Sequence, residues 1–393
     1  MHQAPGRGSR ALRVVVLNWR DLRHPDGGGS ERYIETIARG LVERGHEVTV
    51  HCADHGRAPR DEVVAGVRYR RRGGRATVYL RGVLPLLSRR RRPDVVVDVS
   101  NGVPFFSPLV RPGPVVGVVH HVHREQWPVV VGGLAARVGW FLESRVAPPV
   151  YRRGPVVAVS PTTRRELLDL GYREDVRVIH NGTDVPADTT EGTGPSATPL
   201  LAMLGRVVPH KRVDHALQVL ARLRAEVPDL RLLVVGDGWG SDDARREAAR
   251  RGVRDAVEFT GFVDEATKHR LLASAWVHLC PSLKEGWGLS VMEAAWHGVP
   301  TVAYADAGGL SDSVVDGRTG VLAHDLDDLV ARTRELLADP GGRAEMGRAA
   351  RAHARSFTWE RTVEEMESLL LEVAGRTSAV AGRAEPALPS GRR

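Results

Sequence analysis

The most constraining feature of this sequence is the alternation of short, β-branched apolar runs with longer segments of helical period. The first unit has an apolar run at 12–18, a helix-like segment at about 29–44 and a second run at 46–52. The runs are continuously apolar, which is typical of parallel strands that are buried on both faces. The pattern therefore predicts an α/β fold in which helices cover parallel sheets.

The apolar runs form two series that are separated by a polar segment. The first series continues at 94–100, 114–121, 155–160 and 176–181, and the second begins at 200. The segment 186–198 between them is rich in Thr, Gly, Pro and Ser and has no periodicity, which is typical of a linker.

A chain of 393 residues is longer than one hydrophobic core usually supports. We therefore expect two doubly wound, Rossmann-like domains, 1–185 and 199–356, that face each other across a cleft. A helix at 357–375 and a disordered tail at 376–393 would follow. Ligands bind at the carboxyl ends of the strands in such sheets, so the cleft is the expected functional site.

The net charge and the two cysteines exclude few functional classes by themselves. The net charge is +8, and only three of the 56 basic residues are lysine. Arginine is spread through the chain and aromatic residues make up 5%, so no stacking platform for nucleic acid is visible. A basic protein that binds nucleic acid or a membrane surface is the alternative from a different class. Two distant cysteines, and no apolar run near the roughly 18 residues that span a bilayer, favour a cytoplasmic protein.

One segment, 68–92, carries ten arginines around the apolar stretch VYLRGVLPLL. Two interpretations are open. It is either a solvated, arginine-rich helix or a basic amphipathic element that lies on an anionic membrane. The second interpretation would place the protein at the inner face of the membrane.

The densest group of candidate functional residues lies in the second series. Glu285 and Glu293 stand eight positions apart around the turn Gly286-Trp287-Gly288, where a helix is expected to begin. Free N–H groups in a glycine turn at a helix N-terminus form an anion site. Carboxylates on either side of that site can hold hydroxyls at the two ends of a sugar nucleotide. The structural alternative is that Glu285 caps the helix and Glu293 is exposed on it.

Two cations and a glycine-rich turn lie on other strand-to-helix loops. Arg206 and Lys211 share one loop, where arginine can bind a diphosphate bidentately and lysine can bind it as a point charge. A solvated loop is the alternative. His24 and the glycines at 27–29 join the first strand to the first helix. This turn can approach a phosphate, but it matches neither the dinucleotide fingerprint nor a Walker loop.

Three histidines, His120, His121 and His123, follow one another at the end of the run 114–121. Side chains at the carboxyl end of a parallel strand project into the cleft. A metal at His121 and His123 would lack a third ligand with convincing spacing. We therefore expect a polar role near a reacting sugar and assign no metal.

Eight segments follow one another along the chain: GGGSERYIETIARGLVERGHEVTV, VAVSPTTRRELLDLGY, VRVIHNGTD, GRVVPHKR, LLVVGDG, VEFTGFV, PSLKEGWGLSVMEAAWHGVPTV and AGGLSDSVVDGRTGVL. Taken in this order, they resemble the retaining glycosyltransferases of family 4, which have the two-domain GT-B fold. The resemblance runs from Leu12 to about residue 370. It implies a hexosyltransferase that moves a sugar from a nucleotide diphosphate sugar to an acceptor with retention of configuration. It also implies no tightly bound cofactor and no metal requirement, and a last helix that packs back on the first domain.

The resemblance implies roles for individual residues. The donor would be bound by Arg206 and Lys211 at the diphosphate, Glu285 and the amides of Gly286, Trp287, Gly288 and Leu289 at the sugar, Glu293 at the ribose, and the backbone of Phe262 and Val263 at the base. Gly28 and Gly29 of the acceptor-binding first domain would close over the diphosphate. The catalytic histidine would be His120, with His121 as its rival, and His24, His121 and His123 would lie on the acceptor side.

Two residues depart from the family's pattern. His180 stands where proline usually precedes Asn-Gly, and Trp287 replaces a more usual phenylalanine. His180 would alter the hinge between the two domains, and Trp287 would alter the shape of the sugar pocket. The donor base (UDP or GDP), the donor sugar and the acceptor (lipid, glycan or small-molecule aglycone) stay open. A sugar phosphorylase and a nucleotide-sugar epimerase are the alternative activities.

Overall fold

A computed structural model describes residues 10–88, 92–111, 113–183 and 194–382. The first sheet consists of β1 (Arg13–Leu17), β2 (Glu47–Cys52), β3 (Asp61–Val64), β4 (Val67–Arg71), β5 (Val95–Ser100), β6 (Val115–Val119), β7 (Val156–Ala158) and β8 (Val176–Val178). Among the described residues the strand order is β3-β4-β2-β1-β5-β6-β7-β8. Strand β1 pairs in parallel with both β2 and β5. The order therefore reverses at β1, which makes the loop after β1 a topological switch point.

The second sheet consists of β9 (Leu200–Leu204), β10 (Arg231–Val235), β11 (Val257–Gly261), β12 (Val277–Cys280), β13 (Thr301–Tyr304) and β14 (Gly320–Ala323). Within the described ranges its order is β11-β10-β9-β12-β13-β14, and all its pairings are parallel. Here the order reverses at β9, so the loop after β9, at 205–212, is the second switch point. The expected α/β class with two parallel, doubly wound sheets is confirmed.

Helices cover both faces of each sheet. Those of the first domain are α1 (Gly29–Glu43), α2 (Val78–Val83), α3 (Ser107–Val110), α4 (Trp127–Val130), α5 (Gly133–Phe141), α6 (Ala147–Val150) and α7 (Pro161–Asp169). Those of the second are α8 (Val213–Leu223), α9 (Ser241–Arg250), α10 (Glu265–Ser274), α11 (Leu289–Trp296), α12 (Leu310–Ser313), α13 (Leu326–Ala338) and α14 (Pro340–Ala354), and α15 (Trp359–Gly382) ends the described chain. Polar N-caps fix several starts, as where the Ser160 side chain accepts a hydrogen bond from the Thr163 N–H.

The start of the arginine-rich segment is a strand, and the interpretation of 68–92 as one solvated helix is wrong there. Strand β4 pairs antiparallel with β3 and directs Val67, Tyr69 and Arg71 inward. The helical part is limited to α2 and a 3-10 turn at Leu84–Leu87. Residues 89–91 lie outside the described residues. The pairing could not be foreseen because the inward positions include a charged residue, Arg71, which is only 1% exposed.

The last helix, α15, packs against α1 of the first domain. The two helices approach closely at Gly40, where a Cβ would lie 2.6 Å from Val363 Cγ1. Farther along, Arg177 donates two hydrogen bonds, of 2.7 and 2.9 Å, to the carboxylate of Glu372. The helix continues to Gly382, so the expectation of a disordered tail from residue 376 is wrong for residues 376–382. Residues 383–393 lie outside the described residues.

The expected linker is described only at its end. Residues 194–198 pack on the second domain, where Trp276 Nε1 donates to the Ser196 carbonyl at 2.9 Å, and 186–193 lie outside the described residues. In the part of the chain that the structure describes, no helix is both long enough and apolar enough to cross a membrane.

Candidate active site

The glycine-rich turn after β1 faces the second domain. A Cβ built on Gly28 would lie 3.6 Å from Arg206 Nε, and one built on Gly29 would lie 2.9 Å from Leu289 Cδ1. The first contact is ordinary and the second is too close for a real side chain without a shift. The turn that begins α1 therefore reaches the loops that begin α8 and α11, although about 180 to 260 residues separate them in the sequence.

The second glycine turn, before α11, leaves its backbone donors unpaired. None of the N–H groups of Gly286, Trp287, Gly288 and Leu289 donates to an acceptor within the described ranges. A Cβ on Gly286 would lie 2.1 Å from the carbonyl oxygen of His120, so only glycine fits there. Unpaired N–H groups at the start of a helix bind anions or hydroxyl oxygens.

Glu285 and Lys211 form a buried ion pair. Lys211 Nζ donates to Glu285 Oε1, and the side chains are 18% and 14% exposed. Burial acts to raise the pKa of Glu285, but the ammonium of Lys211 outweighs it and the pKa is lowered. Glu285 is thus an ionised carboxylate, and it does not cap α11, whose N-cap is Gly288.

Arg206 lies near this pair and has no carboxylate partner of its own. It makes no hydrogen bond or ion pair among the residues that the structure describes. Burial is the main cause that lowers its pKa, and the positive charge of Arg20 acts in the same direction. A half-buried guanidinium in this state is suited to bind an anion.

Glu293, one and a half turns into α11, is also held by a lysine. Lys268 Nζ donates to Glu293 Oε1 at 2.6 Å and to Glu265 Oε2 at 2.9 Å. The Glu293 side chain is 16% exposed, so the alternative of an exposed helical residue is wrong. Lys268 lies in no motif that marks it in the sequence. The rarity of lysine was the available signal, because all three lysines of the chain pair with glutamates around the cleft.

The third lysine, Lys284, joins the two domains. Its Nζ donates to Glu166 on α7 and lies 3.9 Å from Glu125 Oε2. The Lys284 side chain is 6% exposed. A second link follows nearby, where the Thr162 N–H donates to Asp312 Oδ2 at 2.7 Å. These contacts hold the 281–288 loop against the first domain.

Of the paired histidines, His120 has an unused ring nitrogen. His120 is buried, its ring lies edge-on to Tyr33 with centroids 5.2 Å apart, and its Nε2 has no hydrogen-bond partner within the described part of the chain. Burial lowers its pKa to about 4, so the imidazole is neutral near pH 7. His121 Nε2 instead pairs with Gln126 Oε1 at 3.1 Å. His120 Nε2 thus has no partner among the described residues, whereas His121 Nε2 has one.

The residues expected on the acceptor side lie on the first domain. His123 Nδ1 is 3.0 Å from Glu143 Oε1, and Trp127 Nε1 donates to Glu143 Oε2 at 2.7 Å. His24 Nδ1 accepts a hydrogen bond of 3.0 Å from the Asp26 N–H. Among the described residues no group of three or more potential ligands is arranged to hold a metal ion.

The side chain of Trp287 packs at the hinge and not in a sugar pocket. It is 2% exposed, with its ring centroid 4.4 Å from that of His180 and 4.9 Å from that of Phe357. The two departures from the family pattern, Trp287 and His180, are therefore in contact with each other. Only the backbone of Trp287 is available to a ligand, which corrects the expectation that its side chain reshapes the sugar pocket.

The segment expected to meet the base follows β11. Phe262 is 91% exposed, and Val263 is partly buried against the apolar cluster beneath α10. Both precede the helix that carries Lys268. The segment is thus on the same side of the second sheet as the Glu293–Lys268 pair.

Two parallel, doubly wound domains whose switch-point loops meet in one cleft define the GT-B class of glycosyltransferases. Comparisons with known proteins agree. Residues 27–186 match the model of the family described as Glycosyltransferase Family 4, and residues 189–353 match that described as Glycosyl transferases group 1. This chain belongs to glycosyltransferase family 4 and is a glycosyltransferase.

Two similar proteins are named for acceptors that contain inositol phosphate. A D-inositol 3-phosphate glycosyltransferase of Kribbella flavida is 36% identical over 92% of this chain and 95% of its own length. A GDP-mannose-dependent phosphatidylinositol monomannoside mannosyltransferase of Mycolicibacterium smegmatis is 29% identical over 86% of this chain and 92% of its own.

Solved structures share the fold. Sucrose-phosphate synthase of Thermosynechococcus elongatus superposes with a TM-score of 0.77 at 19% identity, over 92% of this chain and 99% of that one. HepE of Anabaena, solved with UDP and glucose, superposes with a TM-score of 0.70 at 19% identity, over 92% and 100% of the two chains.

Proposed function

We propose that this glycosyltransferase moves a sugar from a nucleotide diphosphate sugar to an acceptor on the first domain, with retention of configuration. The observation that carries the proposal is the convergence of Arg206, the Lys211–Glu285 pair and the unpaired amides at Gly286–Leu289 at one edge of the second sheet. These groups match the needs of a diphosphate and of the sugar attached to it.

In the proposed reaction the bond between the sugar carbon and the β-phosphate oxygen breaks, and the acceptor hydroxyl attacks from the same face. The hydroxyl proton passes to the departing phosphate oxygen, so no protein nucleophile is required. Arg206 and Lys211 stabilise the negative charge that develops on the diphosphate. Glu285 and the neutral His120 orient sugar hydroxyls, and Glu293 binds the ribose.

We propose a polyol phosphate, free or linked to a lipid, as the acceptor class. Support comes from the names of the relatives in Kribbella and Mycolicibacterium, which act on inositol 3-phosphate and on a phosphatidylinositol mannoside. Glycans and aglycones without phosphate are the competing classes, and acceptor panels should include both.

A membrane-facing position would suit a lipid-linked acceptor. Leu80, Leu84 and Leu87 are 50 to 63% exposed beside α2, and a second exposed apolar stretch includes Leu134 and Phe141 of α5. The buried sides of α2 and of the 142–151 segment that follows α5 share one apolar cluster on the same face of the first sheet. Exposed arginines accompany both stretches, which suits an anionic lipid surface.

Sedimentation with anionic liposomes tests this position. Binding should fall several-fold in a Leu80→Ser/Leu84→Ser variant. A Val63→Ser variant is the control, because Val63 is equally exposed (63%) but lies on the edge strand β3. Equal sedimentation of all three proteins would contradict the membrane assignment.

The donor site is tested by a thermal-shift panel of UDP, GDP, ADP and their sugar conjugates. Ligand that binds the folded state raises the melting temperature with occupancy. One nucleotide class should stabilise the wild type but not Lys211→Ala or Glu293→Ala. The control Arg231→Ala removes an exposed cation at the start of β10, the end of the strand away from the cleft, and should respond like the wild type. Variants that all respond alike would contradict the site.

Product analysis separates the alternative activities. A sugar nucleotide that changes without an acceptor would indicate an epimerase. A requirement for inorganic phosphate, with release of a sugar phosphate, would indicate a phosphorylase. Transfer to a polyol phosphate with retained anomeric configuration is the expected result.

A further inference from the structure

The loop after β1 carries a buried arginine that the proposed reaction does not use. Arg20 is 8% exposed and lies at the switch point of the first sheet. An arginine guanidinium has five N–H donors. Its Nε lies 3.0 Å from a carboxylate oxygen of Glu31, but its two terminal nitrogens donate no hydrogen bond to a residue in the described ranges. Buried polar groups are usually hydrogen-bonded, so an arginine in this state calls for a ligand.

A single carboxylate lies beside Arg20. Glu31 Oε1 is 3.0 Å from Arg20 Nε and forms an ion pair with it. The same carboxylate accepts hydrogen bonds from the Gly28 N–H at 2.8 Å and from Ser30 Oγ at 2.7 Å. Glu31 is thus shared between the glycine turn and Arg20 Nε, and the terminal nitrogens of Arg20 have no acceptor among the described residues.

Arg206 of the second domain lies on the other side of this turn. A Cβ on Gly28 would lie 3.6 Å from Arg206 Nε and 3.8 Å from Glu31 Oε2. Two arginines therefore flank one glutamate, and the terminal nitrogens of both donate no hydrogen bond within the described part of the chain. An anion bound between them would supply the missing acceptors.

The surrounding structure holds Arg20 in place. Its guanidinium lies 4.7 Å from the centroid of the Trp19 ring. The next residue, Asp21, accepts a 2.7 Å hydrogen bond from Arg71 Nε, and Arg71 is only 1% exposed. His55 Nε2 lies 3.1 Å from the same carboxylate. A preorganised guanidinium loses little entropy when a ligand binds.

We infer that Arg20 is a phosphate-binding residue of the first domain, which faces Arg206 across the glycine turn. The ligand chemistry is a phosphate group, and it has two sources in the proposed function: the diphosphate of the donor or the phosphomonoester of the acceptor. The assignment of the source rests on the proposed function, whereas phosphate binding by Arg20 does not.

Calorimetric titration of the full chain with pyrophosphate tests the inference. Pyrophosphate affinity should fall about tenfold or more in Arg20→Gln, the loss expected for charge-assisted hydrogen bonds. The matched control is Arg75→Gln, because Arg75 is exposed and lies 5.8 Å from the centroid of the same Trp19 ring. Its affinity should stay within about twofold of the wild type. Circular dichroism checks that each variant is folded.

A second variant guards against misfolding, because Arg20→Gln leaves Glu31 buried without its cation. The double variant Arg20→Gln/Glu31→Gln removes both charges and keeps an oxygen acceptor for the Gly28 N–H. It should lose pyrophosphate affinity like the single variant. Arg20→Lys should recover part of the affinity, because it restores the charge but not the planar fork.

Two further titrations identify the source of the phosphate. Loss of affinity for UDP or GDP, with the affinity for the nucleoside unchanged, assigns Arg20 to the donor diphosphate. Loss of inositol phosphate binding by the nucleotide-saturated protein assigns it to the acceptor. Wild-type affinity of the Arg20 variants for all three probes, or no pyrophosphate binding by the wild type, overturns the inference. If no nucleotide binds but pyrophosphate binding still depends on Arg20, the result contradicts the proposed nucleotide sugar donor and supports phosphate binding by Arg20.

Discussion

The two sides of the cleft neutralise their charges by different routes. On the second-domain side, Lys211 and Lys268 each pair with one glutamate of the 285–293 segment. On the first-domain side, Arg20 Nε pairs with Glu31, and the terminal nitrogens of Arg20 donate to no residue in the described ranges. The second domain thus pairs both of these lysines and leaves only Arg206 of its cleft cations without a described partner, whereas the first domain holds an arginine whose terminal nitrogens are unpaired among the described residues.

This difference shows how each side is assembled. The second-domain glutamates, Glu285 and Glu293, belong to one short segment around a glycine turn, so local geometry sets their spacing. The first-domain loop instead depends on Arg71 of β4, which pairs with Asp21 from 50 residues away. One side is a local motif, and the other exists only because strands distant in the sequence lie next to each other.

The largest effect is expected for Lys211→Ala. Removal of a group that stabilises the developing charge of the leaving diphosphate should lower kcat by about 10²- to 10³-fold. Buried Glu285 would also lose its cation. Single-turnover measurements with saturating donor give the chemical step directly. Lys211→Arg should recover part of the rate, and a loss of less than about tenfold in Lys211→Ala would contradict a role in the transition state.

The next effect concerns Lys268, which would act through Glu293. Lys268→Met should raise the donor KM by about tenfold and leave kcat within about threefold, since ground-state binding of the ribose is lost. Lys268→Arg should restore the KM. Arg246→Met, on the exposed face of α9, is the control and should change neither value. An equal fall in kcat and in kcat/KM would show that the pair does not act on binding.

A smaller effect is expected where the two sides join. Lys284→Met and Glu166→Gln should each lower kcat/KM by about three- to tenfold, because the pair holds the donor loop against α7. Their effects should not add, and a double-mutant cycle should give a coupling of about 1 kcal/mol. The partly exposed position of Glu166 (27%) limits this value. Additive losses would mean that the pair is not an interdomain link.

The smallest effect is on stability, and each side contributes one buried histidine. Burial lowers the pKa of His120 to about 4 and that of His278, in β12, to about 3. In the unfolded chain each histidine binds its proton near pH 6.5, whereas the native state stays neutral. The free energy of unfolding should therefore fall as the pH drops from about 6.5 towards 4.

Urea unfolding at pH 6.5 and 5.0 measures this change. Replacement of either histidine by glutamine should reduce the pH-dependent loss by about 1.5 kcal/mol. A variant with the same pH dependence as the wild type would show that its histidine is not protected from protonation. Comparison of the two variants shows whether burial protects the histidine of each domain from protonation to the same extent.

Much of the architecture followed from short-range patterns. Buried parallel strands such as β1 and β6 appear as continuous apolar runs, and their positions were predicted to within a few residues. The edge strands β3 and β4 were missed because β4 alternates arginines with apolar residues, and its inward arginine is tolerable only beside Asp21 and Glu62. The burial of a charged side chain can be predicted only when its partner is known. The partners of Arg71 are distant in the sequence.

The site shows the same division. The loop positions and spacing indicate Arg206, Lys211, Glu285 and Glu293 as candidates, and the structure brings them to one edge of the second sheet. Lys268 was missed because its helix carries no motif. The contact between His180 and Trp287 was missed because nothing in either segment indicates that the hinge meets the donor loop.

The sequence by itself determined the strands, the two-domain division and the glycine turns, because apolar periodicity and the conformational freedom of glycine act over a few residues. Only the tertiary structure decided which charges meet: Lys268 with Glu293, Lys284 with Glu166, and Arg20 with Glu31 beside Arg206. The physical reason is that burial makes each charge depend on its nearest partner, and strand order determines which loops supply that partner.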